Sequence, residues 1–383
     1  MSTGNPDVLG VDVGYGNVKV YGVVPGDATR FRSFHFPAMA VDARAGMMTA
    51  NYGRALDLRQ PVVNGRTYYV GRDVALMLKQ PTAAALDKQY PMTDDYHALL
   101  LGALAEAGLS EIDLLVLGLP GRYFVDMTLK QAMCNKFVGE HTIGDFRVNV
   151  RRIHIVPQPV GGLASWANYA DIWQRMKKQE ALIVDAGYNT LDWCVFRQRA
   201  VIPQMTSSEQ GGMAHFVDAI REELDRSYPN VHLRGVHQID EALRGERQLM
   251  QEGKPIDLQP LIDAALPVWD TSLSNMVRMV QDLRSYDGIY VVGGGARFIA
   301  SAIETRYPGV KPMITPDAQP FMANVRGFVT AGLKLLNTEA AANHERELQA
   351  RVRPEPAKAS ADARTAQYTG RRPPETTLRA VTR

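Results

Sequence analysis

The chain has 383 residues, 45% of them apolar and 22% charged, a balance that excludes a disordered or fibrous protein and supplies apolar material for two closely joined domains. A formal charge of +2 excludes a body built for non-specific capture of nucleic acid or of an acidic membrane. Cys134 and Cys194 are the only cysteines, too few for a disulfide framework; no basic, apolar leader or membrane span is readable, and the expectation is a cytoplasmic protein.

Residues 8–36 read as three strands, VLGVDV, NVKVYGVV and TRFRSFHF, separated by Gly14-Tyr15-Gly16 and Pro25-Gly26-Asp27. Turn residues between such runs predict an antiparallel meander. Helices are predicted near residues 72–79, 94–107 and 127–138, with an apolar strand at 112–119. The opening pattern then returns. Sliding the chain by 173 positions lays LIVDAGYNTLDWCVF on VLGVDVGYGNVKVYG without a gap, matching Asp12 with Asp185, Gly14 with Gly187 and Tyr15 with Tyr188. That spacing is far longer than a solenoid repeat and predicts two homologous units facing one another.

Helical periodicity covers residues 212–228, 237–250 and 257–283, with Pro267 expected to break the last. A buried strand at 288–292 runs into Gly293-Gly294-Gly295-Ala296 and a helix to residue 307, a phosphate- or nucleotide-approach pattern. The last ordered helix is expected at 321–336. Beyond residue 338, Pro, Ala, Arg, Thr and Glu prevail and large apolar residues are almost absent, so a disordered tail is expected. Residues 339–383 carry nine Lys/Arg against six Asp/Glu, which reads either as a contact for DNA or an adaptor, or as a solvated extension.

In DVGYGNVK, Asp12 ends an apolar strand, Gly14, Tyr15, Gly16 and Asn17 form a tight turn, and Lys19 projects from the next strand. Backbone N–H groups of such a turn cradle phosphate oxygens, a lysine neutralises them, and the carboxylate holds Mg²⁺ through water. The same residues also read as a plain hairpin whose glycines supply positive φ. DAGYNTLD offers a second carboxylate, Asp185, and a second turn of Gly187, Tyr188, Asn189 and Thr190, with the Asn and Thr as donors toward phosphate. GGGA leaves Gly293, Gly294, Gly295 and Ala296 without bulk against which an adenine or ribose would lie flat. Gly211 and Gly212 read as a second approach to the nucleotide or as a helix cap. His232 and His237 lack acidic or Cys companions for a metal, and Ser207 and Ser208 lack triad context.

These motifs, in this order, resemble the phosphate-1, phosphate-2 and adenosine motifs of the actin/Hsp70/sugar-kinase superfamily. Gly14-Tyr15-Gly16-Asn17, Gly118-Leu119-Pro120 and Ala323-Asn324-x-x-Gly327 are similar to the ParM/StbA group and, within it, the actin-type ATPases of PRTRC plasmid systems. The resemblance implies an α/β, actin-like ATPase fold: two RNase H-like domains with a nucleotide cleft between them. Domain I would hold residues 1–160, with 320–337 returning to it, and domain II residues 161–319; 338–383 would be the tail. It also implies ATP or GTP with Mg²⁺ as ligands, Asp12 and Asp185 as catalytic and metal-holding carboxylates, and a hydrolytic residue at Gln158. Where ParM-type proteins often carry Glu, Gln158 would orient the attacking water rather than take its proton.

The function implied is an ATPase that polymerises into nucleotide-dependent filaments for plasmid segregation. Its partners would be itself and a DNA-binding adaptor protein, with no direct specific DNA binding by the body and no membrane. Two other functions fit the same motifs: a small-molecule kinase, for which no catalytic Asp base stands out, and a non-polymerising nucleotide-dependent scaffold.

Overall fold

In the computed structural model, the residues described are 8–23, 32–44, 55–77, 90–170, 178–198, 200–233, 235–314 and 320–352. Two mixed five-stranded sheets carry the candidate site. In the first, β1 (Val8–Val13), β2 (Asn17–Val23) and β3 (Arg32–Pro37) form the antiparallel meander. Strands β4 (Leu114–Leu119) and β5 (Ile153–Pro157) add in parallel on the far side of β1, giving the order β5-β4-β1-β2-β3. The second sheet repeats this with β6 (Glu180–Ala186), β7 (Thr190–Arg197), β8 (Ala200–Gln210), β9 (Gly288–Val292) and β10 (Met313–Ile314), in the order β10-β9-β6-β7-β8. The 173-residue offset holds rung by rung. Asp12 pairs with Lys19 and Lys19 with His35; Asp185 pairs with Asp192 and Asp192 with Ser208.

Strands β1, β4 and β9 are buried along their whole length, which requires helices on both faces of each sheet. Helix α1 (Asp94–Ala107) covers one face of the first sheet and sets Leu99, Leu100 and Leu104 against Leu9 and Val11. It starts where the Thr93 side chain accepts the Tyr96 N–H and stops at Gly108, φ 65°. The short α2 (Gly121–Phe124) and α3 (Met127–Phe137) follow β4. Helix α4 (Gln158–Ala170) leaves β5 and packs Leu163 on the second sheet, against Ala181, Ile183 and Tyr290. The opposite face of that sheet is covered by α5 (Met213–Ser227), α6 (His237–Leu243), α7 (Gln259–Ala265), α8 (Asp270–Val280) and α9 (Ala296–Arg306). Helix α10 (Ala323–Val352) then returns Val325, Phe328 and Val329 to Val8, Leu114 and Val116 of the first sheet. Thus α4 and α10 exchange sheets, and they cross backbone to backbone: a Cβ on Gly327 would lie 1.7 Å from the Gly161 carbonyl oxygen.

Several elements differ from the sequence reading. The helix expected at 237–250 ends at Leu243, because Gly245 turns left-handed at φ 77°, and the chain continues into a small hairpin of Met250–Gln251 with Lys254–Pro255. The hairpin of Gly139–Ile143 with Phe146–Val150, which also pairs with Glu111–Ile112, was not anticipated. The helix at 72–79 is a 3-10 turn, Val74–Met77, beyond which residues 78–89 lie outside those described. Pro267 does interrupt its helix, as a 3-10 turn, Leu266–Trp269, between α7 and α8. The described residues up to Leu336 belong to one compact unit, and the described residues 337–352 to another. The expected tail begins as helix, since α10 runs to Val352; residues 339–352 are rich in Ala, Glu, Gln, Leu and Arg, all strong helix formers. Residues 353–383, with the Arg371-Arg372 pair, lie outside the described residues. Among the described residues no helix is long and apolar enough to cross a membrane.

Candidate functional site

The two homologous hairpins aim their turns into one cavity of about 840 Å³. Each turn closes on itself by the same bond: the Gly14 N–H donates to the Asn17 carbonyl at 3.2 Å, and the Gly187 N–H to the Thr190 carbonyl at 3.0 Å. The turns nearly touch, for a Cβ on Gly16 would fall 2.7 Å from the Tyr188 ring. Tyr15 stacks on Tyr90 with centroids 4.4 Å apart, and the Tyr90 hydroxyl donates to the Gly14 carbonyl at 3.2 Å. Burial raises both phenols further above their usual value, so these rings brace the turn as neutral groups.

Asp12, 1% exposed, receives the Lys19 ammonium at 2.9 Å on one oxygen and the Gln158 amide N–H at 2.7 Å on the other. Burial pulls the Lys19 ammonium down, but the Asp12 and Asp185 charges outweigh it and hold it above its usual value. Gln158 occupies the first position of α4, directly after β5, so the end of a strand delivers it to the carboxylate. Asp185, 4% exposed, accepts the Asn324 amide N–H through one oxygen. Burial, reinforced by the neighbouring Asp192 charge, pushes its carboxyl up to about 7 against the pull of Asn324 and Lys19. Facing carboxylates, one lysine and two glycine turns are the equipment for a polyphosphate and its counter-cation.

The structure divides the remaining predicted residues. Gly14, Tyr15, Gly16, Asn17, Lys19, Gly187, Tyr188, Asn189, Thr190, Gly293, Gly294 and Ala296 line the cavity with Asp12, Gln158 and Asp185. The Asn189 side-chain nitrogen is buried without a partner among the described residues, a donor in want of an acceptor. Thr190 differs from expectation: its hydroxyl donates to Asp192 at 2.6 Å, which leaves the hydroxyl proton unavailable to a phosphate in this arrangement. Gly211, Gly212 and Gly295 are not on the cavity wall but behind it. Gly211 offers its carbonyl to the Trp269 indole N–H at 2.6 Å. Gly212 lies under the second turn, with the Gly187 carbonyl 2.6 Å from where a Cβ would sit, and the Met213 and Ala214 N–H groups donate to Gly187 and Tyr188. The first turn of α5 is therefore occupied by the back of the hairpin. Gly295 donates its N–H to Ala186 at 3.1 Å, and a Cβ there would meet the Met213 sulfur.

Hard oxygen donors from Asp12 and Asp185, each bonded to a side-chain amide, fit Mg²⁺. Among the described residues no group of three or more His, Cys, Asp or Glu is arranged to hold a metal by itself, so a cation here would be completed by water and a ligand's phosphates. His232 lies at no metal cluster either; the side chain of His237 is outside those described.

Sequence reasoning missed several wall residues. Asp192 sat inside the second motif without a role; it is buried, and it accepts the Gly121 N–H from the first half of the chain at 3.3 Å. Asn324 was noted only as part of a pattern. Arg244 and Arg297, which also line the cavity, carry no local signal at all; Arg297 lies over the Phe298 ring, 4.3 Å from its centroid, and donates to the Leu243 carbonyl.

Two family models match the chain: the N-terminal domain of actin-like proteins over residues 10–161 and the C-terminal domain of the archaeal, MreB-like actin homologue over residues 183–305. Among solved structures, the archaeal actin homolog Ta0583 in complex with ADP aligns with TM-score 0.61 at 18% identity, covering 85% of this chain and 99% of that one. The apo ParM protein of pSK41 gives 0.61 at 18%, covering 87% and 99%. A 15-stranded ParM filament from Clostridium botulinum gives 0.60 at 19%, covering 86% and 99%. No curated protein matches the sequence.

Proposed function

The chain belongs to the actin-like protein family, and from that premise we propose that it is a ParM-type ATPase that assembles with copies of itself into nucleotide-dependent filaments. The observation that carries the reading is the pair of homologous hairpins presenting Asp12 and Asp185 to one cavity of about 840 Å³, a volume suited to a nucleoside triphosphate. In this reading Lys19 and the turn amides hold the phosphates, Asp12 and Asp185 hold Mg²⁺ through its waters, and the Gly293-Gly294 stretch admits the nucleoside. Mg²⁺, when bound, neutralises charge on the phosphates.

Gln158 has the role of orienting the attacking water, because a neutral amide takes no proton at ordinary pH. One of its two amide N–H groups donates to Asp12 at 2.7 Å, which fixes the side chain, and its carbonyl oxygen is the acceptor that would orient a water. The fold likeness to a ParM filament subunit and to an ADP-bound homolog supports self-association and nucleotide binding. Plasmid segregation through a DNA-bound adaptor, in cytoplasm, completes the proposal and suits a chain of net charge +2.

Right-angle light scattering after addition of Mg-ATP, with phosphate release followed in the same sample, tests it. Scattering that rises and then decays as phosphate appears is the expected result. Phosphate release or tight binding without scattering would return the protein to the kinase or the scaffold reading, and a parallel titration with GTP settles the nucleotide.

A further inference from the structure

We propose that Asn324 is a positioning residue that holds the Asp185 carboxylate in the orientation needed to receive a hydrated divalent cation, and that its own carbonyl oxygen takes a water of that cation's shell. The inference rests on the nucleotide reading above and adds a residue to it.

Asp185 is fixed from two sides. On one, the Asn324 amide N–H donates to Oδ2 across 139 residues of sequence. On the other, Gly293 sits at φ 89° with its Cα so close that a Cβ would lie 2.3 Å from Asp185 Oδ1. The carboxylate therefore stands in a slot between an amide, which holds it by a directional bond, and a bare glycine, which leaves it room. Asn324 is itself fixed from behind. It lies one turn before Gly327, whose contact with Gly161 sets the depth of α10 against α4, and a Cβ on Gly161 would come within 2.6 Å of the Asn324 backbone carbonyl oxygen.

The second half of the inference comes from the unused atom. Asn324 is 5% exposed and lines the cavity, yet its Oδ1 has no partner among the described residues. A buried amide oxygen without a donor is expensive to leave unmade, and a water held at Asp185 supplies the missing donor. Gln158 stands in the same relation to Asp12, so each carboxylate is held by an amide from one of the two crossing helices.

The test is the affinity of full-length protein for a fluorescent ATP analogue, measured with Mg²⁺ and with EDTA, for wild type and Asn324→Ala. Loss of a hydrogen bond to a charged group predicts that Mg-nucleotide affinity falls about tenfold or more, while metal-free affinity stays within about twofold. Asn324→Leu, which keeps the branched shape without either polar atom, is read in the same way and serves if the Ala variant melts too low to assay. Equal losses with and without Mg²⁺, or none, would overturn the positioning role. Failure of wild type to bind the Mg-nucleotide would instead overturn the functional reading on which it stands.

Discussion

Replacing Gly327 by Ala sets two effects against each other at the crossing of α4 and α10. An alanine stabilises a helix interior by about 1 kcal/mol relative to glycine. Its methyl group, however, would fall 1.7 Å from the Gly161 carbonyl oxygen, 2.5 Å from the carbonyl carbon and 2.9 Å from the Ser165 nitrogen. All three are backbone atoms of one helix, so no side chain can swing aside. The helices would have to part by more than an ångström, loosening Val325, Phe328 and Val329 from the first sheet. Overpacking of this kind costs about 3 kcal/mol or more, which leaves a net loss of about 2 kcal/mol and lowers the melting temperature by on the order of 5 °C. Gly332→Ala on the same helix is the comparison: its methyl would lie 2.8 Å from Val116 and 2.9 Å from Val8 side-chain carbons, a milder overlap than one with backbone, and it should lose less than Gly327→Ala. Thermal unfolding followed by circular dichroism reads both. A Gly327→Ala protein that melts at or above the wild-type temperature would refute the backbone contact between α4 and α10.

Three other expectations test the site and the fold. Asp185→Ala should abolish Mg-nucleotide binding in an equilibrium titration, because it removes the carboxylate that the second hairpin presents to the cavity; normal binding would sink the site assignment. Gln158→Ala should retain nucleotide affinity, because Lys19 still holds Asp12 at 2.9 Å, yet slow phosphate release about a hundredfold and prolong any scattering signal; unchanged turnover would assign the water to another group. His97, set edge-on to Phe137 at 5.0 Å, is lowered to about 4 by burial and by the Lys136 and His141 charges. Its neutral form is the native one, so the contribution is whole above about pH 6.5 and is lost as pH falls toward 4. Melts across that interval should show His97→Leu with a flatter acid dependence than wild type.

How far the sequence reaches depends on the range of each interaction. Asp12, Lys19 and Asp185 were legible because strand, glycine turn and strand are local patterns, and hairpin register then carries Asp12 opposite Lys19. The repeat at 173 positions was legible for the same reason, as two copies of a short pattern. Of the two readings of Gly212 the fold realises the helix cap, at the start of α5, and Gly211 and Gly295 sit behind the cavity wall, because a glycine that lets a ligand approach and one that lets Trp269, a hairpin or Met213 pack closely look alike in a string. The end of α6 turned on the left-handed Gly245, and a helical period alone does not announce its stop.

Sequence alone was sufficient for the two sheets' strand–turn–strand units, the pairing of their carboxylates across a pseudo-repeat, and the composition of a two-part globular chain. Only the folded chain could decide that Asn324 holds Asp185, that Gln158 holds Asp12, and that the Gly121 N–H reaches Asp192, across 139, 146 and 71 residues respectively. Periodicity and turn chemistry act over a few neighbouring residues, whereas the first two of these bonds exist because α4 and α10 trade sheets and cross at two glycines, and the third because α2 meets β7, consequences of packing that no local pattern encodes.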